Sequence, residues 1–164
     1  LYIANISEED LVNKKNNEYV NDLFHFARKQ GNRGIQICAS IEQEISTLPS
    51  KEKPIFLKEY NLTEPGLDKV VKSGFNLLGL QTYFTCGEKE VRAWTIPIDS
   101  KAPKAAGAIH SDFEKGFIKA EVFKYDEILK YKSEKKLSEL GLIRLEGKNY
   151  TVQDGDCIFF KFNV

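Results

Sequence analysis

The sequence predicts two different folds in one chain: an α/β piece over residues 1–78 and a compact α+β module over residues 79–164. Strand-like and helix-like stretches alternate from Leu1 to Leu48, the rhythm of a βαβα unit. After Gly79 the pattern changes to short strands placed before and after one small-residue helix. At 41% hydrophobic and 12% aromatic over 164 residues, the chain can bury one ordinary core or two small ones.

In the first piece, Leu1-Tyr2-Ile3-Ala4 is an apolar run suited to a strand of a parallel sheet. Asn17 to Gln30 places Val20, Leu23, Phe24 and Ala27 at helical spacing, and Gly31 is set to close that helix. Gly34 to Cys38 is a second short strand. Ile41, Ile45 and Leu48 fall on one face of a following helix. Pro49 to Tyr60 is charged and at most helical. Thr63-Glu64-Pro65-Gly66 starts a helix, with Thr63 as cap and Pro65 in the first turn. Leu67, Val70, Val71, Gly74, Phe75, Leu77 and Leu78 give it a broad apolar face.

In the module, Gln81–Thr85 and Glu90–Ile96 read as strands joined by a turn at Cys86-Gly87-Glu88-Lys89. Pro103–Ile109 is a short helix and Ile118–Tyr125 a strand. Asp126–Tyr131 is a helical turn, and Ser133 caps another helix that runs to Leu140. Ile143-Arg144-Leu145 is expected to enter a hairpin around Glu146-Gly147-Lys148. Asp154-Gly155 is a turn before a final strand, Cys157–Phe162.

Charge excludes one class of function. Lys+Arg and Asp+Glu number 24 each, which argues against a strongly cationic nucleic-acid binder. From Gly79 onward they number 14 against 13, and before it 10 against 11, so neither half is a charged tail. No apolar run approaches the roughly 18–20 residues of a membrane span, so no membrane partner is expected. The three cysteines are odd in number and widely spaced, which fits free thiols in a reducing cytoplasm better than zinc or a disulfide framework. A chain without methionine that opens inside a strand is expected to be a piece of a longer protein.

The chemistry concentrates at two strand ends. Asn5-Ile6-Ser7-Glu8 follows the first strand, and Cys38-Ala39-Ser40-Ile41-Glu42 follows the second. P-loop GTPases read guanine with an Asn-Lys-x-Asp loop at the first position, whose Asp accepts from the ring N–H and the exocyclic amine. A Ser-Ala loop at the second supports the base through its backbone. Here Ile6 replaces the Lys and Glu8 the Asp. Asn5 is expected to brace the two loops and to offer an amide that both donates and accepts, as adenine requires. Ile6 would lie against the flat face of the base. Glu8 departs from the compact guanine geometry, which relaxes guanine selectivity and favours ATP. The plainer alternative is that Asn5 only caps the turn that follows it.

The strings Leu80–Thr85, Glu90–Ile96, Ala105–Val122 and Asp154-Gly155-Asp156 resemble the C-terminal TGS domain, a ubiquitin-like β-grasp module, of the YchF subfamily of Obg-like P-loop NTPases. Asn5-Ile6-Ser7-Glu8, Cys38-Ala39-Ser40 and Glu64-Pro65-Gly66-Leu67 match that subfamily in order. The resemblance implies that residues 1–78 are the C-terminal part of a nucleotide-binding domain and 79–164 a TGS domain. It implies a cytoplasmic hydrolase of ATP or GTP that uses Mg²⁺ and associates with the ribosome (50S or 70S) and its RNA. Asn5, Ile6, Glu8, Ala39 and Ser40 would contact the base. No phosphate-binding loop occurs in these 164 residues, so no catalytic residue and no metal ligand is assigned, and hydrolysis by this chain alone is not expected. The alternative is a TGS module that binds RNA or protein and no nucleotide.

Several conspicuous residues read as structural. His110 lacks a nucleophile or metal partner and is expected to be hydrogen-bonded inside the fold. Asp154 and Asp156 flank a tight turn. Trp94 and Phe113, Phe117, Phe159, Phe160 and Phe162 are mostly core, with one or two rings left to stack on RNA. Lys115, Lys119, Lys124, Lys130, Lys132, Lys135 and Lys136 read as a solvated surface, because Glu114, Glu121, Asp126, Glu127 and Glu134 interleave with them.

Overall fold

The computed structural model describes residues 1–13, 17–87 and 90–163. The chain divides into two compact units, Leu1–Leu78 and Gly79–Val164.

In the first unit the order is β1 (Tyr2–Asn5), α1 (Glu8–Asn13), α2 (Glu18–Lys29), β2 (Gly34–Ile37), α3 (Ala39–Thr47), α4 (Lys53–Glu59) and α5 (Gly66–Leu78). Strands β1 and β2 pair in parallel, with Asn5 level with Ile37. Asn17 caps α2 by accepting from the amides of Tyr19 and Val20, and Gly31 follows the helix at φ 70°. A Cβ on Gly34 would lie 2.3 Å from the ring of Phe24, so glycine is what lets α2 cross β2 this closely. Ala4, Ile6, Val20, Cys38, Ile41 and Ile45 form the core.

Helix α5 departs from expectation at both its start and its face. Thr63 is not its cap. The first amides, of Gly66 and Leu67, donate to the Glu42 carboxylate at 2.6 and 3.0 Å. A carboxylate from another helix thereby satisfies donors that a local side chain would otherwise take. The apolar face is helical in spacing but largely unpacked: Leu67, Val71, Leu77 and Leu78 are 51–70% exposed.

The second unit contains β3 (Leu80–Cys86), β4 (Val91–Pro97), α6 (Ala102–Ile109), α7 (Ser111–Lys115), β5 (Phe117–Lys124), α8 (Tyr125–Tyr131), α9 (Glu134–Glu139), β6 (Arg144–Glu146) and β7 (Asp156–Phe162). Its sheet runs β4-β3-β7-β5-β6. All neighbours are antiparallel except β3 and β7, which join the two halves in parallel. Strand alternation sends Tyr83, Ile96, Ala120, Val122, Ile158 and Phe160 to one core with α6. It sends Phe84, Cys86, Phe123 and Cys157 to a second with Leu137 of α9.

Two local expectations change here. Among the described residues the hairpin around Glu146-Gly147-Lys148 does not form: β6 pairs with β5, and the following segment bridges from Thr151 to Lys101. Two residues of the expected β3–β4 turn, Glu88 and Lys89, lie outside the described residues. Asp154-Gly155 does turn, with Gly155 at φ 76° and the Asp154 carboxylate accepting from the Thr82 amide at 2.8 Å.

Asp156 is more than a turn residue. It is fully buried and accepts from Lys124 Nζ at 2.6 Å, Tyr150 OH at 2.7 Å and the Gln153 amide at 2.8 Å. Arg144 donates to the Tyr150 oxygen at 3.2 Å. A carboxylate can be buried only when its oxygens are satisfied in this way.

Candidate nucleotide-base site

The two loops singled out in the sequence leave the same end of the parallel pair. Asn5 Oδ1 accepts from the Ala39 amide at 3.0 Å, and the Ile6 amide donates to the Ile37 carbonyl at 2.9 Å. Asn5 therefore bridges the loops rather than capping the following turn. That cap is Ser7, whose Oγ accepts from the Asp10 amide at 3.1 Å and opens α1.

Asn5, Ser7, Glu8, Ala39 and Ser40 are exposed, while Ile6 is buried with Ala4, Cys38 and Ile41. The Ile6 side chain thus holds its loop to the core. Ser40 lies beside the buried Cys38 thiol, with Oγ and Sγ 3.2 Å apart.

Glu8 has a partner that the sequence does not disclose. Its Oε1 accepts from the Tyr60 hydroxyl at 3.0 Å. That bond, ahead of desolvation and the nearby Glu8, Glu44 and Glu59 charges, holds the Tyr60 hydroxyl above the usual tyrosine range. Tyr60 lies 52 residues from Glu8 and Glu42 lies 24 from Gly66. No local pattern links residues so far apart, so neither contact was legible beforehand. Chemically, the surface offers one bridging amide, one tethered carboxylate and the exposed N-terminal turn of α3.

The other candidates separate. His110 is structural but lies on the surface: its Nδ1 accepts from the Asp112 amide at 3.2 Å and caps α7. Phe117 and Phe160 are core, whereas Phe159 and Phe162 are 40% and 37% exposed. The lysine group is not one patch, because Lys124 belongs to Asp156 while Lys130 and Lys136 flank the Tyr131 ring. The cysteines are free, with Cys38 and Cys157 buried and Cys86 partly so.

Residues 80–163 match a family model described as YchF-GTPase_C, a protein of unknown function (DUF933). The whole chain aligns at 52% identity with a ribosome-binding ATPase YchF of Pasteurella multocida and at 49% with that of Bacillus subtilis. It spans 44% and 45% of their lengths. Among solved structures, the Schizosaccharomyces pombe YchF GTPase superposes over 98% of this chain and 43% of its own, with TM-score 0.82 and 35% identity. A GTP-binding protein from Pyrococcus horikoshii, at 16% identity and TM-score 0.63, shares the fold. A strand order of mixed direction, a two-loop end on a parallel pair and these alignments converge: the chain belongs to the YchF family.

Proposed function

We propose that this chain supplies the base-recognition loops and the TGS module of a ribosome-associated ATPase/GTPase of the YchF type. The observation that carries the nucleotide half is the Asn5–Ala39 bond, which fixes both loops relative to each other at the end of β1 and β2. Asn5 presents its amide nitrogen to the purine edge, and Ala39 and Ser40 support the base from the turn that opens α3. Ile6 anchors the loop from inside. Glu8 shares one carboxylate oxygen with Tyr60, so it is a poorer two-pronged acceptor for guanine, and adenine is the preferred base. The phosphates and Mg²⁺ are held by residues outside these 164. When bound, Mg²⁺ neutralises charge on the transferring phosphoryl group.

Isothermal titration of the full-length protein with ATP and GTP tests this reading. ATP is expected to bind at least as tightly as GTP, and Asn5→Ala is expected to weaken ATP by about ten-fold, the loss of one to two hydrogen bonds. Much tighter GTP binding would end the adenine assignment, and an unchanged Asn5→Ala variant would end the site.

The second unit is read as a β-grasp, on the order β4-β3-β7-β5-β6 with α6 packed on one face. Its partners are the ribosome and ribosomal RNA, with Phe159 as the exposed ring offered for stacking, since Phe162 already stacks on Phe113. Co-sedimentation with 50S and 70S particles over a salt series checks this, since contacts to phosphate weaken steeply with salt. If the nucleotide titration fails while ribosome binding holds, the TGS module acts as a binding domain alone.

A further inference from the structure

Two cysteines share one place in the second unit. Cys86 is the last residue of β3, and Cys157 is the second of β7. The two strands run in parallel with Phe84 level with Cys157, so Cys86 stands two residues further along the same face. Both side chains enter the small core that Leu137 closes, where Cys157 is fully buried and Cys86 packs against it. The thiols interact directly, with Cys157 donating a hydrogen bond to the Cys86 sulfur.

The pair is not symmetric. Cys86 is partly exposed and lines a cavity of about 650 Å³ together with Ile128, Lys132, Ser133, Glu134 and Phe159. Burial pushes the Cys86 thiol up, and the bond from Cys157 offsets part of that rise. Burial, then the Cys86 charge and the bond to it, pushes the Cys157 thiol up to about 12. Cys157 keeps its proton while it donates, so Cys86 is the thiol that ionises first. It is also the sulfur that a reagent in the cavity meets. Cys38 belongs to the core of the first unit, beside Ser40, and takes no part.

We propose that Cys86 and Cys157 form a dithiol site that a small-molecule disulfide oxidises to an intramolecular disulfide between β3 and β7. Cys86 gives its proton to water, and its thiolate attacks one sulfur of the oxidant. The S–S bond of the oxidant breaks, and one half leaves as a thiol after taking a proton from water. Cys86 now holds the other half as a mixed disulfide. Cys157 then loses its proton and attacks the Cys86 sulfur, and the second half leaves as a thiol. Two protein thiols are oxidised and one disulfide is reduced to two thiols, so electrons and protons balance. The cavity wall carries charge of both signs, on Lys132 and Glu134, which suits a zwitterionic thiol peptide as the carrier of that disulfide. Closing the bond draws the end of β3 toward β7, a shift that Gly87, directly after Cys86, permits.

Oxidation of the folded full-length protein with oxidised glutathione tests the proposal, with the remaining thiols alkylated and the peptides mapped by mass spectrometry. The expected product is a pair of peptides joined through Cys86 and Cys157. Cys157→Val keeps the buried position apolar and is expected to arrest the reaction with one glutathione on Cys86. Cys86→Ser is expected to leave Cys157 unmodified. The map of the unsubstituted protein decides the matter even if a variant fails to fold. A mixed disulfide on Cys86 that persists there, a bond from either sulfur to any other cysteine, or no reaction at either sulfur overturns the inference.

Discussion

The two units solve the same problem unequally. The second covers both faces of a five-stranded sheet and buries a carboxylate within it. The first has two paired strands, a core of small and medium side chains, and a terminal helix whose leucines face outward. An isolated pair of strands is marginal in water. The difference lies in what holds each unit within these residues: the second rests on a sheet packed on both faces, and the first ties its loops and its last helix by a few long-range contacts, namely Asn5 to Ala39, Glu8 to Tyr60 and Glu42 to α5.

The strongest attempt to break that contrast is Asp156→Ala. It leaves the Tyr150 hydroxyl and the Gln153 amide without their acceptor, and a loss of roughly 3 kcal/mol is expected in chemical denaturation, moderated because Lys124 can return to water. If the variant loses less than Glu42→Ala in the first unit, the contrast is wrong. Next in size is Gly66→Ala. A Cβ there would come within 2.9 Å of both Glu42 Oε1 and Ile37 Cγ2, and a loss of about 1–3 kcal/mol is expected, read from the melting of the first unit. Glu42→Ala removes the tertiary cap of α5 and should cost about 1 kcal/mol by the same measurement.

A pH series sharpens the comparison further. Burial, then the bond to Asp156, pushes Tyr150 up to about 12 from the ordinary tyrosine value of 10.0. The folded chain thus keeps a proton that the unfolded chain releases. Stability is fully present below pH 10 and falls as pH rises from there toward 12. Thermal melts from about pH 9 upward should show a falling slope for the second unit, to which the raised Cys157 thiol and Tyr83 hydroxyl also contribute, and Tyr150→Phe should remove only its own share above pH 10. Hydrogen exchange gives the gentlest test: amides of β5 and β7 should outlast those of β1 and β2.

Much of this was legible in advance for a physical reason. Periodicity and end signals act within a few residues, so Asn17, Gly31, Ser133 and Gly155 mark turns and helix ends directly. Local signals fall silent where the deciding partner is remote. Glu42 takes the capping role expected of Thr63, and the segment expected to form a hairpin after Leu145 gives way to pairing of β6 with β5. Asp156 looked like half of a turn because its cationic partner, Lys124, lies 32 residues earlier.

By itself, the sequence determined the alternation of elements, the change of pattern at Gly79 and the two loops that follow the parallel strands, since each depends on neighbours a few residues apart. Only the tertiary structure decided which side chains those loops grip and which carboxylate is buried. Those outcomes depend on hydrogen bonds and packing between residues that the chain brings together only when it folds.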